Sequence, residues 1–285
     1  MSAAYSRTFQ YTQALAPAGP GVGPDLHVSD VWLMAHDTVP ALRSDLATVG
    51  AEVWWGAGWL GSATLYGRYT TGLTVPDPAP GVLSPTRPVF VAGQNQAGGL
   101  ELSVRRLAGR VTGSLAYSEG VSEVWAAGWR YPSGAERRRA IDATAMVRLS
   151  PAVRAGAAFS AASGAPYTRF VLGPAPCDTL LVLCTDSLLV TNAVERPNAH
   201  RAPTYVTMDL LAEWSRSFSS WRLAAFVQLR NALNRRNAVT YVGSFESCTV
   251  DPRRAPDRRQ VAPGVCDAFD RGLPLLPLVG VSVAF

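Results

Sequence analysis

The sequence contains no lysine. All 26 of its basic side chains are arginine, set against 21 acidic ones for a formal charge of +5. A nucleic-acid-binding chain gathers its basic residues on one element. Here they are spread along the chain, apart from Arg137–Arg139 and the run "DPRRAPDRR" at 251–259, both in loop-like sequence. These read as solvated loop charge, and no nucleic-acid partner is expected. Charge is scarce overall, at 16% against a usual figure of about 25%. Hydrophobic residues make up 48%. Yet no run of about 20 apolar residues occurs, which excludes a transmembrane helix. An apolar chain without such a helix is either a soluble all-β protein or a membrane β-barrel. Histidine is scarce too: only His27, His36 and His200. There is no CxxC pair, so a zinc site is disfavoured. Nucleophilic hydrolysis needs a serine beside a positioned base, and no histidine lies in a recognisable serine motif. No catalytic residue, metal or cofactor is expected. The opening "MSAAYSRTFQYTQAL" lacks the charged and apolar regions of a secretory leader.

What the sequence does have is alternation of period two, the mark of half-buried strands. Tyr5–Tyr11 alternates. Ala47, Val49, Ala51, Val53 and Trp55 oppose Thr48, Gly50, Glu52 and Trp54. Trp59 to Tyr69 continues the pattern, with Ser62, Thr64, Tyr66 and Arg68 on the other side. Similar segments start near Leu100, Val111, Ile141, Val153, Val206 and Trp221. The last places Val279, Val281, Val283 and Phe285 on one face. This makes about ten strands. Glu52, Arg68, Glu101, Arg105, Asp142, Arg148, Asp209, Glu213, Arg222 and Arg230 are expected to share the face opposite the apolar residues.

The connections alternate as well. Short turns are expected after residues 55, 106, 149 and 214. Long Pro- and Gly-rich segments are expected at roughly 15–45, 72–96, 119–139, 162–203 and 232–274. A soluble sandwich has no reason to put every long loop at one end. An outer-membrane barrel has short periplasmic turns, long extracellular loops and strands of about 10 residues, apolar outside and polar inside. Trp55, Trp59, Trp214 and Trp221 flank short turns, while Tyr69, Tyr117 and Tyr205 lie at opposite strand ends. Rings at both ends of an apolar band are the expected interfacial girdles. The expected fold is therefore all-β: an antiparallel, meandering transmembrane β-barrel, partial in strand number.

Four cysteines fall in two long loops: Cys177 with Cys184, and Cys248 with Cys266. Four allow three pairings. Pairing within each loop is the simplest, and in an oxidising exterior it pins mobile loops.

The order of these features resembles the C-terminal β-barrel region of TonB-dependent outer-membrane receptors. "GGLELSVRR" at 98–106 is similar to the family's strand entering a periplasmic turn. "SGAPYT" at 163–168 is similar to its strand-to-loop motif, and "LRNALNRRNAVTYVG" at 229–243 to its segment before the last loop. "GLPLLPLVGVSVAF" resembles its terminal strand with a C-terminal aromatic. The resemblance implies that residues 1–285 form the C-terminal portion of such a barrel, in the outer membrane of a Gram-negative-type bacterium. A full receptor has about 22 strands, so the resemblance implies that plug domain, leader and further strands lie upstream of Met1. It implies partners too: membrane lipid, the assembly machinery reading the terminal strand, and TonB acting through the upstream plug. The implied ligand is a bulky nutrient such as an iron–siderophore complex. Expected ligand contacts are loop aromatics and arginines: Trp125, Trp129, Arg130, Tyr131, Tyr167, Arg169 and Tyr241. The alternatives are a self-contained small outer-membrane channel and, outside the membrane, a soluble β-sandwich binding module.

Overall fold

The computed structural model describes residues 1–15, 31–37, 39–56, 58–78, 90–174, 188–192, 196–241, 248–249, 264–266 and 268–285. Ten long strands follow one another: β1 (Ser2–Gln10), β2 (Leu42–Trp55), β3 (Trp59–Pro76), β4 (Phe90–Arg106), β5 (Val111–Ala126), β6 (Arg139–Arg148), β7 (Val153–Ala162), β8 (Tyr205–Ser217), β9 (Arg222–Arg230) and β10 (Leu276–Ala284). Each pairs antiparallel with the next in sequence, so the sheet is a pure meander. An eleventh strand, Trp129–Pro132, folds back on the end of β5. The fold is all-β. Among the described residues, no helix is long and apolar enough to cross a membrane. β1 and β10 are the two edges and are not paired to each other.

Among the described residues no second layer of long strands or helices covers this sheet. The buried apolar side chains among the described residues are few: Val39, Val124, Ala126 and Tyr131, with Pro78 and Pro166. A soluble sandwich packs two inner faces into a core, and these residues build none. The expectation of alternate short and long connections is met. The short links 56–58, 107–110, 149–152 and 218–221 share one end, and every long one lies at the other. β8 extends to Ser217, so the turn expected after residue 214 begins at Phe218.

The strands are longer than the alternation implied. Residues 72–76, 90–96 and 119–126, expected to be loop, are strand. Backbone pairing continues there after the apolar alternation has ended, because ladder hydrogen bonds do not depend on side-chain polarity. Gly72 marks the change. It takes φ +80°, and the register shifts between Thr71 and Leu73. The carbonyl of Ala41 lies where a Cβ on Gly72 would go, so only glycine fits. Buried Gln13 seals the bulge. It donates from Nε2 to the Pro40 and Gly72 carbonyls and accepts at Oε1 from the Thr74 N–H, at 3.0, 2.9 and 2.9 Å.

A one-residue bulge moves every later side chain to the other face. Leu73 and Val75 therefore leave the face of Leu65 and Tyr69 and join Val91, Val124 and Ala126. Tyr131 and Trp129 pack there too, forming a small apolar cluster at the long-loop end.

Candidate functional site

The register resolves two faces. One carries Val49, Val53, Leu65, Leu102, Val104, Leu115, Ile141, Leu210, Val227, Val279, Val281 and Val283. The other carries all ten expected charged residues. This polar face is laced across strands. Ser62 bonds Ser103 at 2.7 Å, Ser114 bonds Thr144 at 2.8 Å, and Ser160 donates to Asp142 at 2.5 Å. Arg154 grips both carboxylate oxygens of Glu213 at 2.7 and 2.8 Å.

The apolar face is a band with aromatic margins. Trp55 stacks on Trp59 at 6.2 Å, and Phe218 on Trp221 at 4.1 Å, all at the short turns. Trp214 lies on the same face. At the other margin stands Tyr69, joined by Tyr5, which donates to Asp45. Tyr117 departs from the expected strand end: the register ranges it with Ala63 and Leu102, mid-strand in β5. Tyr205 departs from the expected girdle. Val206, paired with Ala161, holds the apolar face, so Tyr205 is one residue out of phase and belongs to the polar face. Trp59 and Tyr69 are ten residues apart on β3, about 33 Å along the strand.

At the long-loop end the expected ligand contacts divide into two groups. Trp125 is not in a loop: it closes β5, and Arg130 sits opposite it in the hairpin. The guanidinium of Arg130 lies 5.0 Å over the Trp125 ring and also pairs with Glu123. Both continue the apolar face. Trp129 and Tyr131 point to the other face, where Tyr131 is 7% exposed and part of the apolar cluster. Burial pushes the Tyr131 phenol above its ordinary pKa. The turn is Ala127–Gly128, both with positive φ (47° and 80°), the geometry of a type I′ hairpin.

The second group comes together from distant sequence. Tyr167 faces His200 in the ladder Pro166–Tyr167 with His200–Arg201, and Tyr241 faces Phe269 in the ladder Ala238–Tyr241 with Phe269–Arg271. Tyr167 and Tyr241 meet at 4.2 Å between ring centroids. Phe269 stands 5.3 Å from each, and His200 lies 5.8 Å from Tyr167. Arg169 is half-buried nearby in sequence. The segments Phe170–Pro174, Leu188–Asn192, Gly264–Cys266 and Cys248–Thr249 form one four-stranded sheet. The loops after β7 and β9 are thus joined by backbone pairing, at Val171–Val265 and Leu172–Gly264. That register also sets Cys248 opposite Cys266. Cys177 and Cys184 lie outside the described residues.

Two polar clamps hold this platform. Glu136, 4% exposed, pairs with Arg201 and, at 3.8 Å, with Arg138. Asn198 donates to the Pro132 carbonyl at 2.8 Å. Together they fasten the 127–138 connection to the 163–204 connection. Below Tyr241, three asparagines tie β9 to its neighbours. Buried Asn237 both donates to and accepts from the Val206 backbone, at 2.8 and 2.9 Å. Asn231 donates to the Leu273 carbonyl at 2.9 Å, and Asn234 accepts from the Leu275 N–H at 3.0 Å. Asn231 and Asn234 have φ of 51° and 49°, a region that asparagine tolerates better than most residues.

Sequence reasoning missed Phe269 and the stacking role of His200, because nothing local signals either. Glu136 precedes three arginines in "AERRR", yet its close partner is the distant Arg201, which the local run does not signal. Chemically, the Tyr167 cluster offers π faces and an imidazole. Among the described residues, no group of three or more His, Cys, Asp or Glu stands ready for a metal. The sequence matches no protein-family model and no curated protein, so the functional reading rests on this geometry.

Proposed function

We propose that this chain is barrel wall and exterior loop platform of a TonB-dependent outer-membrane receptor, taking part in uptake of a bulky nutrient such as an iron chelate. The observation that carries the reading is the two-faced, single-layer sheet. It has an apolar band bounded by tryptophans at the short turns and tyrosines at the long loops. In water such a band is a large exposed apolar surface of the kind monomeric proteins avoid. In a bilayer it is matched on one side by acyl chains.

On this reading the short turns are periplasmic and the clamped loops extracellular. The Tyr167–Tyr241–Phe269 cluster stacks against planar, unsaturated parts of the ligand, and the arginine-rich loops attract negative charge. The free edges of β1 and β10 need partners, since unpaired backbone groups are costly in lipid. Further strands of the same receptor supply them, with a plug through which TonB acts. β10, ending before Phe285, is the strand the assembly machinery reads.

The test is made in the source cells. The chain is expected in the outer-membrane fraction. External protease should cut at the long-loop end, within 231–275, and spare the short turns. Deleting its gene should abolish energy-dependent accumulation of one chelate in a panel. Recovery in the soluble fraction would sink the reading. The alternative of a small self-contained channel has one observation in its favour. The two ends of the ten-strand meander, β1 and β10, are each 9 residues long, unpaired on their outer sides and able to pair with each other. A cysteine cross-link between β1 and β10 within one chain would favour it.

A further inference from the structure

The apolar face is not uniform. Between β2 and β5 it holds a trough of about 500 Å³. Its floor is made of small residues, Ala51, Gly61 and Ala63, and its walls of Trp55, Leu102 and Tyr117. The lining is almost entirely apolar, so it suits a hydrocarbon chain and not a polar ligand.

Arg106 stands at the short-turn end of this trough. The register pairs Ala63 with Leu102, Gly61 with Val104 and Trp59 with Arg106, so Arg106 is the next side chain on the same face beyond Val104. Its guanidinium lies 5.4 Å over the Trp59 ring. Among the described residues its Nε, like that of Arg43, is buried with no hydrogen-bond partner. A buried donor left unpaired is costly and marks a place where an acceptor is missing.

The charge pattern of the two margins sharpens this. At the long-loop margin the arginines of the apolar face are matched by acids: Arg7 and Arg43 with Asp45, Arg139 with Glu119, Arg130 with Glu123. At the short-turn margin, Arg106 and Arg216 lie over Trp59 and Phe218 with no ion pair among the described residues. The nearby acids Glu52 and Glu101 are on the opposite face. An uncompensated cation at the edge of an apolar surface calls for an anion that carries its own hydrocarbon.

We propose that the trough and Arg106 form a site for one anionic glycerophospholipid. An acyl chain lies over Ala51, Gly61 and Ala63. The phosphate accepts from Arg106 in a charge-assisted hydrogen bond. The Trp55 and Trp59 indoles sit at the depth of the ester groups, where such rings are favoured. Arg216 is not among the residues that line this trough and serves as the internal comparison. The proposal rests on the membrane reading of the sheet.

The test uses the full chain in zwitterionic micelles, titrated with phosphatidylglycerol or phosphatidylcholine while thermal unfolding is followed. Phosphatidylglycerol is expected to raise the melting temperature saturably, as a ligand of the folded state does. Phosphatidylcholine and inorganic phosphate are expected to do little. Arg106→Gln should raise the half-saturating concentration about tenfold, the effect of losing one charged hydrogen bond. Arg216→Gln should leave it unchanged. Ala63→Phe, which fills the trough and keeps the charge, should weaken the response as Arg106→Gln does, and decides the matter if Arg106→Gln fails to fold. Equal responses to the two lipids would overturn the proposal. So would an equal loss in Arg216→Gln, the mark of diffuse attraction. If the chain associates with no micelle, the membrane reading falls and this proposal with it.

Discussion

The phenolic oxygen of Tyr66 lies 2.8 Å from the position that a Cβ on Gly120 would occupy, two strands away on the polar face. The same oxygen lies 2.8 Å from the corresponding position on Gly99. The ring thus rests on a floor of glycine backbone, recovering the packing that the glycines lack. Phe226 over Gly280 and Trp55 over Gly61 repeat the arrangement. At these three places a large side chain of one strand covers a glycine of a neighbouring one.

Gly120→Val is accordingly expected to cost about 1–3 kcal/mol, the usual range for forcing side chains out of a packed position. Chemical unfolding in micelles measures it. The effect should shrink in the Tyr66→Ala background, because the side chain being displaced is then absent. An undiminished loss there would show that the strain is in the backbone and not in Tyr66.

Asn237→Leu should be the most damaging single change in the 231–237 segment. It deprives the Val206 N–H and C=O of their partners at a position only 7% exposed. Each abandoned group costs about 1–3 kcal/mol. Asn237→Asp keeps the acceptor for the Val206 N–H but sets a carboxylate against the Val206 carbonyl, so it should rescue little. Hydrogen exchange at the starts of β8 and β10 would report the loosening, and unchanged protection there would refute the role assigned to Asn237.

The two faces were legible in the sequence because a period of two survives any correct register. Ala47 to Trp55, Trp59 to Tyr69 and Val279 to Val283 fall where alternation put them. The parts that escaped are those where the period breaks. Gly72 shifts the phase by one residue, so Leu73 and Val75 move to the polar face, and nothing in "TTGLTVP" states the direction. Tyr205 looked like a girdle residue because it stands at a strand end, yet phase decides and phase is set by Ala161 opposite Val206. Of the expected ligand contacts, Tyr167 and Tyr241 are brought together by pairing between loops 70 or more residues apart in sequence. Pairing at that range leaves no local trace. Trp129 and Tyr131 belong instead to the apolar cluster.

The hairpin at Ala127–Gly128 holds an alanine at φ 47°, where its Cβ is crowded. A left-handed L-residue costs roughly 1–2 kcal/mol. Asparagine tolerates the region, and Asn-Gly is the preferred pair for a type I′ turn. Ala127→Asn is expected to stabilise the hairpin by about 0.5–1 kcal/mol, seen as slower amide exchange at Arg130 and Tyr131. Faster exchange would show that the alanine methyl contributes packing that outweighs the strain.

Cys248 and Cys266 occupy facing positions of one antiparallel pair, which supports their expected disulfide. A bridge closing a loop of this size contributes about 3 kcal/mol by restricting the unfolded chain. Alkylation before and after reduction, read by peptide mass, should find the pair protected until reduced. Free thiols in protein taken from an oxidising exterior would refute the pairing.

Glu136 and Arg201 carry the last prediction. The Glu136 side chain is 2% exposed and that of Arg201 28%, so the carboxylate depends on its partner for nearly all its solvation. Arg138, 3.8 Å away and half-exposed, is a weak substitute. Removing one member of a buried pair costs about 3–5 kcal/mol, because the other is left charged and unpaired. Arg201→Met should therefore free the 127–138 connection from the 163–204 connection and make both sensitive to external protease. Arg201→Met with Glu136→Leu removes both charges together and should restore most of the resistance. The clamp would then be a device for holding the two loops in one arrangement. If Arg201→Met alone is as resistant as the parent, the loops are held by the Asn198 bond to Pro132 and by the ladders beneath, and the ion pair is incidental.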